Sequence, residues 1–252
     1  MIKKFIQYLF NLLGYKLSRI DTSFVFPIEI SKENRKIIKD CNEFTMTGSH
    51  RMYALVKCLE NVVENNIDGD FVECGVWRGG NLILSQKIFD KLSLNKKVYG
   101  YDTFSGMTEP SSYDRDLRLN YAETMMKKTN KIDNKKNIWA FVSKEKVFLN
   151  ISKFFTKHNI KLIEGDVRQT LLVNENLPSK ISILRLDTDW YDSTKIELEI
   201  LFPLLQKNGF LIIDDYGHFM GAKRAVDEYF KKKNIKPYLH IVDYSCRIFI
   251  KQ

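Results

Sequence analysis

Carboxylates collect in this sequence at one kind of place, just past short apolar runs. Asp102 follows the run at 97–101, Asp166 the run at 160–163, Asp187 and Asp189 the run at 181–186, and Asp214-Asp215 the run at 210–213. Like charges gathered at the ends of neighbouring segments repel one another unless a cation or hydroxyl groups sit among them. Asp187, Asp214 and Asp215 make an all-oxygen set suited to a hard cation such as Mg2+. Such an ion acidifies and orients a hydroxyl, and Asp189, just beyond Asp187, is spaced to take the proton. Asp102 suits a ribose diol, because a carboxylate accepts two hydroxyl hydrogen bonds.

For these acids to meet, the runs must be neighbouring parallel strands with their carboxyl ends on one side. The sequence alternates accordingly. Strand candidates at 70–74, 97–101, 160–163, 181–186 and 210–213 are interleaved with helix patterns at 80–92, 144–158 and 193–205. A helix pattern at 51–65 precedes them; another at 222–232 and strand candidates at 239–242 and 246–250 follow. This order predicts a doubly wound α/β fold, a mostly parallel sheet with helices on both faces. Ligands of such sheets bind beyond the carboxyl ends of the strands. The first strand leads into Glu73-Cys74-Gly75-Val76-Trp77-Arg78-Gly79-Gly80. Its glycines let backbone approach a ligand closely. The spacing is not the G-x-G-x-x-G of dinucleotide sites, and no phosphate-cradling lysine motif is present. A nucleoside without a pyrophosphate fits this turn, and S-adenosylmethionine is the common one.

The 252 residues, 44% hydrophobic and 28% charged, suffice for one large domain with its own core. We assign that domain to residues 49–252 and read 1–48 as a helical and irregular extension. Ile2, Phe5, Ile6, Leu9, Leu12 and Leu13 recur at helical spacing. They predict an amphipathic helix, too short to span a bilayer, that packs on the body or on a second subunit, or else makes weak contact with a membrane surface. The net charge of +9 permits nucleic acid, an anionic surface or an acidic substrate as partner. No nucleic-acid-binding module is recognisable, so nucleic acid is not expected. The four cysteines lack metal-ligand or CxxC spacing, which suggests reduced thiols and a cytoplasmic home. The charged, aromatic stretch at 104–140 is long enough to be a functional insertion.

Six segments carry a resemblance: FVECGVWRGG (71–80), YGYDTFSGM (99–107), IEGDVRQTL (163–171), LRLDTDWYDST (184–194), GFLIIDDYG (209–217) and KRAVDEYF (223–230). In them the chain resembles the macrocin O-methyltransferase (TylF/MycF-type) family of metal-dependent sugar O-methyltransferases. The resemblance implies that Glu73, Gly75, Asp102, Ser105 and Asp166 surround S-adenosylmethionine, with Asp102 on the ribose and Asp166 near the adenine. It implies that Asp187, Asp214 and Asp215 bind Mg2+ or another divalent metal, that Asp189 is the general base, and that the protein is a homo-oligomer.

The activity expected is O-methylation of a sugar hydroxyl on a small carbohydrate acceptor, such as a nucleotide-linked sugar or one bound for a bacterial surface polysaccharide. Lys127, Lys128, Lys131, Lys135 and Lys136 would attract a phosphate on such an acceptor or simply form a solvated face. Trp190 and Tyr191 would stack on its ring or pack in the core. His218 would touch the acceptor or sit idle in a loop, and Arg51 would order a cofactor lid or make a surface ion pair. A catechol-type O-methyltransferase applies the same metal logic to aromatic diols. A non-catalytic scaffold that keeps the fold is the reading from another class, and retention of the aspartates argues against it.

Overall fold

The structure, a computed structural model, describes residues 2–15 and 26–252. It divides into two units, residues 1–30 and Ser31–Gln252. In the first, the amphipathic helix forms as α1 (Ile2–Leu12). The start of the stretch expected to be irregular, residues 21–25, lies outside the described residues. Among the described residues, no helix is long and apolar enough to cross a membrane.

The larger unit opens with α2 (Lys32–Cys41), whose first turn is capped by the Ser31 hydroxyl accepting from the Asn34 N–H. In α3 (Ser49–Glu64) the buried side chains Met52, Leu55, Val56, Leu59 and Val62 form one stripe, the pattern of a helix with a single covered face. The alternating elements follow: β1 (Asp70–Cys74), α4 (Gly80–Lys91), β2 (Val98–Asp102), α5 (Ala122–Lys127), α6 (Lys144–Ser152), β3 (Ile160–Glu164), α7 (Val167–Thr170), β4 (Ile181–Leu186), α8 (Tyr191–Ile200), β5 (Leu205–Ile213), α9 (Met220–Lys232), β6 (His240–Ile241) and β7 (Arg247–Ile250). The helix expected to run to residue 205 stops at Ile200. Pro203 has no N–H to continue it, and Phe202–Leu204 tightens into a 3-10 turn.

The strands form one sheet in the order β3-β2-β1-β4-β5-β7-β6. β1 to β5 pair in parallel; β7 runs antiparallel to both its neighbours. Strand order reverses between β1 and β4, which opens the crevice that such sheets use for ligands. Side chains alternate across the sheet. Val72, Cys74, Leu184, Leu186, Leu211 and Ile213 point one way, into a core shared with Leu198 of α8, with Leu201 just after it and with Val226 and Phe230 of α9. The opposite face carries Phe71, Glu73, Ile183, Arg185 and Ile212, so a buried acid and a buried base interrupt an otherwise apolar surface.

β1 and β4 separate only after Gly75. Its φ is +86°, and a β-carbon there would run into the carbonyl oxygen of Asp187. Both facts demand glycine. Gly75→Ala should therefore cost at least about 2 kcal/mol and lower the affinity for S-adenosylhomocysteine, as thermal denaturation and calorimetry would report.

Candidate active site

The crevice holds a cavity of about 480 Å3 above the carboxyl ends of β1, β2, β4 and β5, a size ordinary for a small-molecule site. Gly75, Asp102, Asp166, Asp187, Asp189 and the Asp214-Asp215 pair all line it. Asp102 already braces the glycine turn: its Oδ2 accepts from the Val76 and Trp77 N–H groups at 2.7 and 3.1 Å, and its Oδ1 from Phe104 N at 2.8 Å. Burial raises its pKa against these N–H donors. Asp166 caps α7 by accepting from the Arg168 N–H and is gripped by the Arg168 side chain. Burial pushes its pKa up, but the contacts with Arg168 more than offset that and hold it below the usual carboxylate value. Glu73 and Ser105 do not line the cavity. Glu73 is 1% exposed beneath its floor, and Ser105 is an exposed turn residue whose N–H donates to Thr103 Oγ1.

The acids of β4 and β5 converge. One carboxylate oxygen from each of Asp187, Asp214 and Asp215 lies within 4.8 Å of the others, the only such group of metal-binding side chains among the described residues. Arg185 lies among them, 2% exposed. Its Nη1 donates to Glu73 Oε1 and Asp187 Oδ2 at 2.7 and 2.6 Å, and its Nη2 to Thr47 Oγ1 and Asp214 Oδ1 at 2.9 and 2.5 Å. Arg51 pairs with Asp214 Oδ2 and, through Nε, with Asp243 Oδ2 at 2.7 Å.

Asp189 stands at φ +65°, a left-handed conformation that Asp tolerates better than most residues. Its carboxylate faces that of Asp215. Burial, then the neighbouring acids Asp187, Asp214 and Asp114, push the Asp189 pKa up to about 7. Burial and the repulsion of Asp189 and Asp214 raise Asp215 well above its ordinary value. Asp215 Oδ2 is buried without a hydrogen-bond partner among the described residues. Two facing carboxylates require a shared proton or a cation between them. Five acids stand here against two guanidinium groups, one of them shared with Asp243. The all-oxygen donors, the surplus of negative charge and the orphaned oxygen all fit a divalent cation.

Other expectations divide. Trp190 is core, not a cavity wall: it is 2% exposed, donates to Thr108 O at 3.0 Å and meets the Phe219 ring edge-on. The Tyr191 hydroxyl donates to Glu228. His218 does line the cavity, and burial lowers its pKa, favouring the neutral ring. Of the lysines at 127–136 only Lys136 lines the cavity; Lys127 pairs with Glu123. Sequence reading gave no role to Arg185, Thr47 or Asp114. The buried Asp114 anchors the 104–140 insertion, accepting from the Tyr191 N–H at the head of α8.

Residues 14–251 match the macrocin-O-methyltransferase (TylF) family. The chain belongs to it. It is 31% identical over 209 residues, 80% of this chain and 73% of the relative, to the demethyldecarbamoylnovobiocin O-methyltransferase of Streptomyces niveus. It is 30% identical over 226 residues, 86% of this chain and 79% of the relative, to the 8-demethyl-8-(2,3-dimethoxy-alpha-L-rhamnosyl)-tetracenomycin-C 4'-O-methyltransferase of Streptomyces olivaceus. The structure of the O-methyltransferase NovP superimposes with a TM-score of 0.72 at 29% identity, covering 83% of this chain and 82% of that one. This macrocin-O-methyltransferase family member is accordingly an O-methyltransferase that uses S-adenosylmethionine.

One more acid supports the site from below. Glu197 of α8 is fully buried; its Oε1 accepts from the Thr188 hydroxyl at 2.9 Å, between Asp187 and Asp189 in the chain, and its Oε2 has no partner among the described residues. Burial raises its pKa from 4.5 to about 8. Between those values the unfolded chain ionises this group and the folded chain does not, so its contribution to stability falls as pH rises through that window. Glu197→Gln should melt with the wild type near pH 5 and above it at pH 8.5.

Proposed function

We propose that the protein transfers the methyl group of S-adenosylmethionine to a sugar hydroxyl, with Asp187, Asp214 and Asp215 holding a divalent cation such as Mg2+ and Asp189 acting as base. The observation that carries the reading is the convergence of these four acids on one wall of the cavity. A sugar acceptor is supported by the tetracenomycin relative, whose name specifies a rhamnosyl group. It is also supported by the cavity's polar side chains Thr108, Asn137 and His218, set beside the rings of Trp77 and Phe219. Met107, Met125 and Ile138 line the same cavity, so an acceptor meets apolar as well as polar groups there. Lys136 at the same cavity suits an acceptor that carries a phosphate, such as a nucleotide-linked sugar.

A divalent cation, when bound, would lower the pKa of the acceptor hydroxyl and fix its direction. Backbone N–H groups take three of the four acceptor sites of Asp102 and leave one on Oδ1 for a ribose hydroxyl of the donor, and Asp166 stands at the adenine end. Asp189, which lines the cavity beside Asp187, takes the hydroxyl proton. The acceptor oxygen then bonds to the methyl carbon as the carbon–sulfur bond breaks. The electron pair passes to sulfur, leaving S-adenosylhomocysteine. Alignment of oxygen, carbon and sulfur supplies much of the acceleration.

Asp189→Asn should lower turnover by about 10^2–10^4 and leave S-adenosylhomocysteine affinity, measured by calorimetry, unchanged. Full activity in that variant would remove the base. A screen of free and nucleotide-linked sugars beside aromatic diols should give a methylated sugar, abolished by a chelator and restored by Mg2+. Methylation of the diols alone would replace the sugar reading.

A further inference from the structure

Arg185 lies on β4 in register with Glu73 of β1 and Ile212 of β5. Asp187 follows Arg185, and Asp214 follows Ile212, by one full pleat, so all four polar side chains share one face of the sheet. The guanidinium fork spans this face from strand to strand. One edge takes Glu73 and Asp187; the other takes Thr47 and Asp214. Asp187 and Asp214 each commit a single oxygen to the fork. Thr47, itself an acceptor for Asn81 Nδ2 at 3.2 Å, closes the cage from the helical side. Arg51 differs. It holds the second oxygen of Asp214 but has Asp243 as an alternative partner. It can leave Asp214 and stay paired, whereas Arg185 has no partner outside the acidic centre and Thr47 among the described residues.

We propose that Arg185 is the positioning residue of the acidic centre: its planar fork sets the spacing of Asp187 and Asp214 so that their remaining oxygens meet Asp215 around one divalent ion, while Arg51 yields its place on Asp214 to that ion. The inference rests on the cation reading given above. It runs against simple electrostatics, which makes any cation near the site an obstacle to a second one. A lysine in place of Arg185 keeps the charge and loses the fork. If geometry governs, Arg185→Lys weakens metal binding although charge is unchanged, and Arg51→Gln leaves it equal or tighter.

The test is Mn2+ binding, followed by electron paramagnetic resonance in the presence of S-adenosylhomocysteine, on the wild type and on Arg185→Lys, Arg51→Gln and Thr47→Val. Arg185→Lys should bind Mn2+ about 10–100-fold more weakly, with S-adenosylhomocysteine affinity close to wild type and a lower melting temperature, because an ammonium cannot reach all four acceptors of the fork. Its turnover should recover at saturating Mn2+, so the loss resides in the metal requirement and not in the maximal rate. Thr47→Val, nearly isosteric, removes one acceptor of the fork and should move Mn2+ affinity in the same direction by less; it carries the test if the lysine variant does not fold. Wild-type Mn2+ affinity in Arg185→Lys, or in Thr47→Val where that variant carries the test, overturns the positioning role and leaves the cation reading intact. A wild type that binds Mn2+ no better than an Asp187→Asn variant overturns the cation reading, and the role of Arg185 with it.

Discussion

Glu73, Asp187, Asp189, Asp214 and Asp215 share one end of the sheet with Arg185 and Arg51, and the site is organised around keeping that much negative charge together. Removing one partner of a buried ion pair typically costs about 3–5 kcal/mol, because the other charge is left uncompensated. Arg185 is the partner of three acids at once. Burial alone would favour its neutral form, but the carboxylates around it keep it charged. Burial raises the pKa of Glu73 to about 7 against the pull of Arg185. The surplus that two guanidinium groups cannot neutralise falls on Asp187, Asp189 and Asp215, at the cavity wall. A stable protein would normally avoid such a surplus; the cation proposed above would neutralise it.

The fold makes this crowding feasible by distributing it. Parallel strands bring their carboxyl ends to the same edge, and the reversal of order between β1 and β4 leaves a gap that ligands can enter. The acids thus arise from different strands, each backed by a buried apolar run, and none needs a long flexible loop. Two local devices finish the geometry. Gly75 lets the β1 turn pass beside Asp187 without a side chain in the way. The left-handed turn at Asp189 brings a carboxylate back toward the strand end it has just left, and the Thr188–Glu197 hydrogen bond holds that turn to α8.

Much of this was legible from spacing. The alternation of strand and helix patterns gave the sheet, and carboxylates at strand ends gave the acidic centre, because both depend on periodicity and on short local motifs. Arg185 was legible in principle: a charged residue inside the run Ile181–Leu186, on a strand buried throughout, has to have counter-ions. Its partners were not, since Thr47 comes from a loop far away in sequence and only the folded register shows which face Glu73 shares. Ser105 was placed beside the donor by motif alone, and its exposure in the turn after Asp102 follows from φ angles at Phe104 and Gly106 that no pattern encodes.

The acceptor half of the site follows a different logic from the donor half. Trp190, which a sequence reader would offer to a sugar ring, instead packs with Ala122 and Met126 of α5, with Phe219 and with Ala222 of α9. Asp114 adds a buried hydrogen bond from the same insertion to the head of α8. The insertion at 104–140 is therefore bound to the two elements that flank the acids, and its residues Met107, Thr108, Asn137 and Ile138 reach the cavity because of that anchorage. In the function proposed above, the donor meets groups within a few residues of a strand end, and the acceptor meets groups whose position depends on how an insertion packs. Chemistry at the strand ends can then stay fixed while the insertion sets which hydroxyl is presented to it, and the side chains that choose the acceptor are to be sought in the insertion, not among the aspartates.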